Sequence, residues 1–209
     1  MVDVFCVITA DVVRSKTEDW HDLKGRIEKA MDSVNTEYSK FLHINFMFTL
    51  GDEFQGVLKS PKKSYDVVSL IQDELYPSKV RFGIGIGGVS GDMGDVREMA
   101  GTAFYNSRDA LNKAKKEKKM VVYLSRNHQG EIETLNIISD LLNTLKDGWT
   151  KTQHEYIRLY RRYLKQERVA EEVGKSPSSV SQVLSKAHLD ITKSTEGYVR
   201  KLLGDISKN

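Results

Sequence analysis

Phe46-Met-Phe-Thr-Leu-Gly-Asp-Glu-Phe-Gln-Gly-Val-Leu58 is the stretch whose reading decides the fold of this chain. Two short apolar runs, residues 46–50 and 54–58, flank a Gly51-Asp52-Glu53 tip. Each run has the length of a strand, and Gly51 supplies the positive φ that a tight hairpin needs. Adjacent carboxylates on such a tip repel one another unless a cation lies beside them. The rest of the chain is therefore read for what it brings to that tip.

Upstream, residues 2–9 form a β-branched run without helical period, the pattern of a buried strand, and it leads to Asp11. Thr17 is the expected cap of a helix whose inner face carries Leu23, Ile27, Ala30, Met31, Val34, Tyr38 and Phe41. Downstream of the hairpin, Pro61 closes the second strand, and Val67, Ile71 and Leu75 mark a helix that Pro77 stops. Residues 79–89 alternate glycine with apolar side chains, which strips one face of a strand so that a ligand or backbone can lie on it. A helix over 96–116 and a last strand over 120–124 complete the order β-α-β-β-α-β-α-β. That is the ferredoxin-like split βαβ plan with one added αβ unit, an α+β domain. Beyond a short linker, 126–131, the strand signals vanish and the spacing is helical to the end. Thr152 to Glu155 has capping-box spacing, and Tyr156, Tyr160 and Tyr163 follow at helical intervals, as core residues would. The expected domains are 1–125 and an all-α part, 132–209.

Composition bounds the function. The 209 residues carry a net charge of +3, but unevenly. From Trp149 onward there are 12 Lys and Arg against 7 Asp and Glu, while the preceding residues hold 20 against 22. A basic C-terminal third on a slightly acidic body suits an anionic partner for that third alone, or else a solvated lysine-rich surface. The single cysteine, Cys6, excludes a disulfide framework, and no run reaches the roughly 18 apolar residues of a membrane span. With no secretory leader pattern at the start, the cytoplasm is the expected location and no membrane partner is expected.

Within the basic third, residues 166–184 resemble a helix-turn-helix. Ala170 is small enough for two helices to cross, and Gly174 permits a left-handed turn. Ser176 caps the second helix, Pro177 is pre-set for its first position, and Val180 and Val183 turn inward. Ser178, Ser179, Ser181, Gln182 and Lys186 are left outward, where a recognition helix touches bases and phosphates. The competing reading is a helical hairpin that only packs or binds protein.

In the N-terminal part, Asp11 and Asp52 are expected on neighbouring strands at one sheet edge, where a divalent cation would relieve their repulsion. Hard oxygen ligands point to Mg²⁺ or Mn²⁺, with a triphosphate as usual company. The amides of Val12, Val13, Arg14 and Ser15, leading toward a helix N-terminus, are a candidate phosphate cradle, with Arg14 and Lys16 adding charge. Gly51 at the tip, and Gly85 and Gly87 on the bare strand, are candidate contacts to the nucleotide. Taken singly, each aspartate also suits a turn or cap. The five histidines lack metal-ligand spacing, and the lysine run 115–119 suits a solvated helix C-terminus.

The blocks Ile8-Thr-Ala-Asp-Val-Val-Arg-Ser15, Thr49-Leu-Gly-Asp-Glu-Phe-Gln-Gly56, Arg81-Phe-Gly-Ile-Gly-Ile-Gly-Gly88 and Gly101-Thr-Ala-Phe-Tyr-Asn-Ser-Arg108 resemble the SatD family over residues 1–125. More distantly they resemble class III nucleotidyl cyclases and GGDEF domains. That resemblance implies a polymerase-palm fold, metal binding by Asp11 and Asp52, an assisting role for Glu53, transition-state contact by Arg108, and a homodimer. Phe48 stands where the cyclases have a base-selecting lysine, and Leu50 where GGDEF has its first glycine. Asn106 and Arg108, two residues apart, cannot share one helix face. Three functions follow. The first is a DNA-binding regulator whose palm domain binds a nucleotide with Mg²⁺. The second is a cyclase or nucleotidyltransferase in which two metals activate a 3′-hydroxyl. The third is a dimerisation module fused to a DNA-binding domain.

Overall fold

Strand β1 (Phe5–Val13) runs through the centre of a five-stranded sheet, a position its nine residues suit because seven of them are buried without a break. The computed structural model describes residues 4–13, 19–90 and 100–208. In chain order β1 is followed by α1 (Trp20–Glu37), β2 (Leu42–Phe48), β3 (Glu53–Leu58), α2 (Ser64–Leu75), β4 (Lys79–Gly87), α3 (Thr102–Glu117) and β5 (Val121–Ser125). The sheet order is β2-β3-β1-β4-β5. β1 lies antiparallel to both β3 and β4, β2 is antiparallel to β3, and β5 runs parallel to β4. The architecture is thus α+β with a mixed sheet, in the element order expected.

The register assigns each strand residue to a face. Cys6, Ile8, Ala10, Phe54, Phe82, Ile84 and Ile86 occupy one face, and all are buried. Phe46 packs where Gly56 leaves that face bare. The Cys6 thiol meets Ser64 at the start of α2; burial pushes its pKa up to about 12, against the pull of that hydrogen bond. Buried at 0 % exposure, the one cysteine serves the core of the sheet.

The opposite face carries α3. A Cβ at Gly83 would collide with the backbone of Ser107 and Leu111, and one at Gly85 with the backbone of Ala103 and Ser107. Thr102 fills the space at Gly87. The bare face of β4 is thus occupied by helix backbone, which corrects the expectation that Gly85 and Gly87 touch a nucleotide. Close helix–sheet packing uses the missing side chains.

Both edge strands are closed by an asparagine from a flanking helix. Asn35 of α1 accepts from the Phe46 N–H (2.7 Å) and donates to its carbonyl (3.0 Å) on β2. Asn136, on the following helix α4 (Gln129–Asp147), does the same for Tyr123 on β5, at 2.7 and 3.0 Å. Each carboxamide stands in for a neighbouring strand and blunts an edge that would otherwise template pairing.

Several local expectations shift. Asp19 caps α1, accepting from the His21 and Asp22 N–H groups; Thr17, Arg14, Ser15 and Lys16 lie outside the described residues, as does the expected helix start at Val96. α1 ends at Glu37, so Phe41 is 43 % exposed beyond it rather than on its inner face. α4 begins at Gln129, inside the expected 126–131 linker. Contacts divide the chain within helices: one unit is Met1–Asp140 with Val199–Asn209, the other Leu141–Tyr198.

The second unit holds the end of α4, α5 (Lys151–Tyr163), α6 (Gln166–Val173), α7 (Pro177–Lys186) and most of α8 (Leu189–Ile206). Its core gathers Trp149, Tyr156, Ile157, Leu159, Val169 and Ala170 with Val180, Leu184 and Ala187. Tyr160 and Tyr163 pack partly buried against it, in line with their reading as core. The capping box of α5 is Thr150 with Gln153, two residues before the expected Thr152, because Thr150 is the residue with extended backbone and reciprocal hydrogen bonds. The Trp149 indole donates to the Ala187 carbonyl at 3.0 Å.

Candidate functional site

Under α3 the sheet face changes character along β1 in three successive rows. Val7 pairs with Val57 and Gly85 in an apolar row. Thr9 pairs with Gln55 and Gly83, and here the side chains are polar yet buried: Gln55 donates to the Thr9 hydroxyl at 2.5 Å, and that hydroxyl lies 3.0 Å from Ser107 Oγ on α3. Asp11 pairs with Glu53 and Arg81, and the row is fully charged.

Directly opposed residues on neighbouring strands point the same way. Asp11 and Glu53 therefore share the face under α3, with side chains only 11 % and 13 % exposed. Lys115 Nζ sits between them, 3.1 Å from Asp11 Oδ1 and 3.3 Å from Glu53 Oε1. Arg108 donates to Glu53 Oε2 at 2.5 Å, and Arg81 lies 3.9 Å from Asp11 Oδ2. Among the described residues, the buried Arg81 Nε has no hydrogen-bond partner. For Lys115, burial pulls the pKa down, but the hydrogen bonds and charges of Asp11 and Glu53 outweigh it and hold it above the ordinary lysine value. A raised cation of this kind keeps its pairing through the neutral range and loses it only as pH rises past its folded-state value.

The expected pair of Asp11 with Asp52 is corrected by one residue. Gly51, at φ 62°, and Asp52 form the turn, and β3 begins at Glu53, so Glu53 and not Asp52 stands across from Asp11. Asp52 adjoins the row from the turn. Val12 and Val13 are not a loop cradle: they are the last residues of β1, paired with Val80 and Lys79, and Val12 is buried. Arg108 reaches the acidic row, whereas Asn106 donates to the Ile86 carbonyl at the far end of β4, as their unequal helix faces require. Lys115 is the residue that sequence reasoning missed. The signal was present, since Arg108 and Lys115 are seven apart, two helical turns, and so share a face.

On α7, Ser176 accepts from the Ser179 N–H at 3.2 Å, and Gly174 at φ 62° ends α6. Val180 and Leu184 are the buried residues of α7, with Val183 partly buried beside them. Ser178, Ser179, Ser181, Gln182 and Lys186 are all exposed. The Ser178 and Ser179 hydroxyls lie 3.0 and 2.9 Å from Ser176 Oγ.

A family model described as the SatD family matches residues 5–203. The chain belongs to the SatD family. The match runs through both units, so the family relationship extends past the residues 1–125 that carry the motifs. No curated protein matches the chain. A crystal structure of a regulator of polyketide synthase expression from Bifidobacterium adolescentis is similar at 14 % identity and a TM-score of 0.26, over 100 % of this chain and 86 % of that one. Among the described residues of this SatD-family chain, no helix is long and apolar enough to cross a membrane.

Proposed function

We propose that this SatD-family protein is a DNA-binding regulator in which α6, the turn at Gly174 and α7 act as a helix-turn-helix. The observation that carries the reading is the division of α7: Val180 and Leu184 are buried, while Ser178, Ser179, Ser181, Gln182 and Lys186 are exposed together on a short, capped helix. Polar groups on a helix anchored from behind are what a major groove admits. Exposed Arg158, Arg162, Lys165 and Lys175 supply charge for phosphates. A homodimer would place two such helices about one DNA turn apart, roughly 34 Å.

The test is fluorescence anisotropy at fixed salt on duplexes selected from a random library. Gln182→Ala should cost about 1–3 kcal/mol and relax preference at one base pair, while Lys186→Ala should weaken all sequences alike and lower the salt slope by about one. Affinity unchanged in both variants would overturn the assignment of α7.

A second reading concerns the charged row. The α+β unit is read as palm-like and related to nucleotidyl cyclases, binding a nucleoside triphosphate with Mg²⁺ or Mn²⁺ at Asp11 and Glu53, with Asp52 in the adjoining turn. The opposed register of Asp11 and Glu53 supports it, because two carboxylates on one face offer the hard oxygens such ions take. Against a ready-made site, the described residues bring no three His, Cys, Asp or Glu together in a metal-holding group. When bound, the metal would polarise phosphate oxygens and, in an enzyme, activate a 3′-hydroxyl. Should the unit be inactive, it serves as a nucleotide sensor or a dimerisation module. A thermal-shift panel of ATP, GTP, CTP and UTP with Mg²⁺ or Mn²⁺ separates these. At a hundredfold excess over Kd, one nucleotide should add about 2.7 kcal/mol, a rise of about 5–10 °C for this length, absent in Asp11→Ala/Glu53→Ala. No shift with any nucleotide would sink the reading, and pyrophosphate release would make the unit an enzyme.

A further inference from the structure

The four carboxylate oxygens of Asp11 and Glu53 each already face a cation. Asp11 Oδ1 and Glu53 Oε1 share Lys115, Asp11 Oδ2 faces Arg81, and Glu53 Oε2 takes Arg108. Only one of these cations touches both carboxylates. We infer that Lys115 is the resident cation of this pair, and that a divalent ion reaches the two carboxylates only by displacing its ammonium. The inference rests on the metal reading of this row and adds to it the means by which the site is kept closed.

The physical case is one of competition at a largely buried site. An ion arriving at Asp11 and Glu53 meets carboxylates whose charge is spent on tethered partners, so its gain is reduced by the pairs it must break. Lys115 is held at high local concentration because α3 is fixed by Ala103, Ser107, Ala110, Leu111 and Ala114, all buried against the sheet. The same geometry makes the lysine removable. Its side chain is 37 % exposed and Arg108 is 48 % exposed, so both can turn outward into water while the buried face of α3 stays packed. Arg81, at 21 % exposure and on the sheet itself, stays. Lys115 is accordingly a positioning residue with two states, one on the carboxylates and one in solvent.

Mn²⁺ titration of the full chain, with free ion read by electron paramagnetic resonance, tests this without any assay of activity. Lys115→Met should bind one Mn²⁺ at least about tenfold more tightly than wild type. Lys115→Arg should bind as weakly as wild type, and adding Asp11→Asn to Lys115→Met should abolish the gain. Equal, tight binding by wild type and Lys115→Met would overturn the role of the lysine while leaving the metal reading intact. A gain that survives Asp11→Asn would overturn it as well, since the ion would then sit elsewhere. No binding by either protein would remove the metal reading and this inference together. Circular dichroism checks the fold of each variant, and Lys115→Gln provides the same comparison if the methionine variant does not fold.

Discussion

Replacing Gly85 with valine should destabilise the α+β unit by about 3 kcal/mol or more, at the upper end of what overpacking a core costs. Gly85 lies mid-strand in β4, opposite Val7 on β1 and Leu124 on β5. A Cβ there points into the Ala103 carbonyl and the Ser107 amide, which are backbone atoms of α3 and cannot rotate aside. The helix has to lift, and lifting it uncovers Ala103, Ala110, Leu111 and Ala114. It also draws Arg108 and Lys115 away from Glu53 and Asp11, so the charged row loosens with the core. Urea unfolding reads the loss directly, and a melting temperature about 6–12 °C lower is the thermal equivalent for this length. Gly130→Ala is the control: nothing lies within 4 Å of its added Cβ and it sits in the first turn of α4, so stability should hold or rise slightly. A Gly85→Val protein within 0.5 kcal/mol of wild type, on the ordinary scale of a neutral surface change, would show that α3 does not rest on the bare face of β4.

Glu196→Ala should cost the helical unit about 3–5 kcal/mol, the usual loss when one partner of a buried ion pair is removed. Glu196 is 6 % exposed on α8. Its Oε1 accepts from Arg161 of α5 at 2.6 Å and lies 3.5 Å from Lys146 of α4, so three helices meet at one carboxylate. Removal takes from Arg161 and from Lys146, whose side chain is only 13 % exposed, the buried carboxylate they share. Trp149 is the local reporter, being buried in the same unit, and a Trp20→Phe background silences the other tryptophan. Glu196→Gln, which keeps the shape but not the charge, should fall between wild type and Glu196→Ala. A loss below about 1 kcal/mol in the alanine variant, the range of an exposed pair, would mean that water replaces the carboxylate and the site is not dry. If α7 reads DNA as proposed, that binding should weaken in parallel, because α7 is held by the same core through Val180 and Leu184.

Much of the architecture was legible because the signals are local. A β-branched run without helical period, a positive-φ glycine at a tip, and apolar residues at three-and-four spacing each act over a few residues. They report the same conformation in the folded chain that they favour outside it. Hence β1, the hairpin turn at Gly51, the inner face of α1 up to Val34, and the Gly174-Ser176-Pro177 junction are where the residues said they would be. Local signals were less reliable at boundaries. Thr152 is a plausible cap, but a cap is decided by which residue takes up extended backbone, and ahead of α5 that residue is Thr150.

By itself, then, the sequence determined the order of elements, the bare face of β4 and the basic character of the last third, and through its resemblance it offered Asp11, Asp52, Glu53 and Arg108 as one candidate site, with Asp52 rather than Glu53 set against Asp11. Tertiary structure alone decided the partners. Whether a glycine-stripped face receives a ligand or a helix depends on what packs there, and α3 packs there. Which of two adjacent carboxylates opposes Asp11 depends on register, and a shift of one residue sends a side chain to the other face of a sheet. Lys115 looks like one more solvated lysine until α3 is laid across β1 and β3, and Glu196 looks like a surface acid until α5 and α4 close over it. Charges exert their effect through distance and dielectric, and neither is defined until the chain has folded.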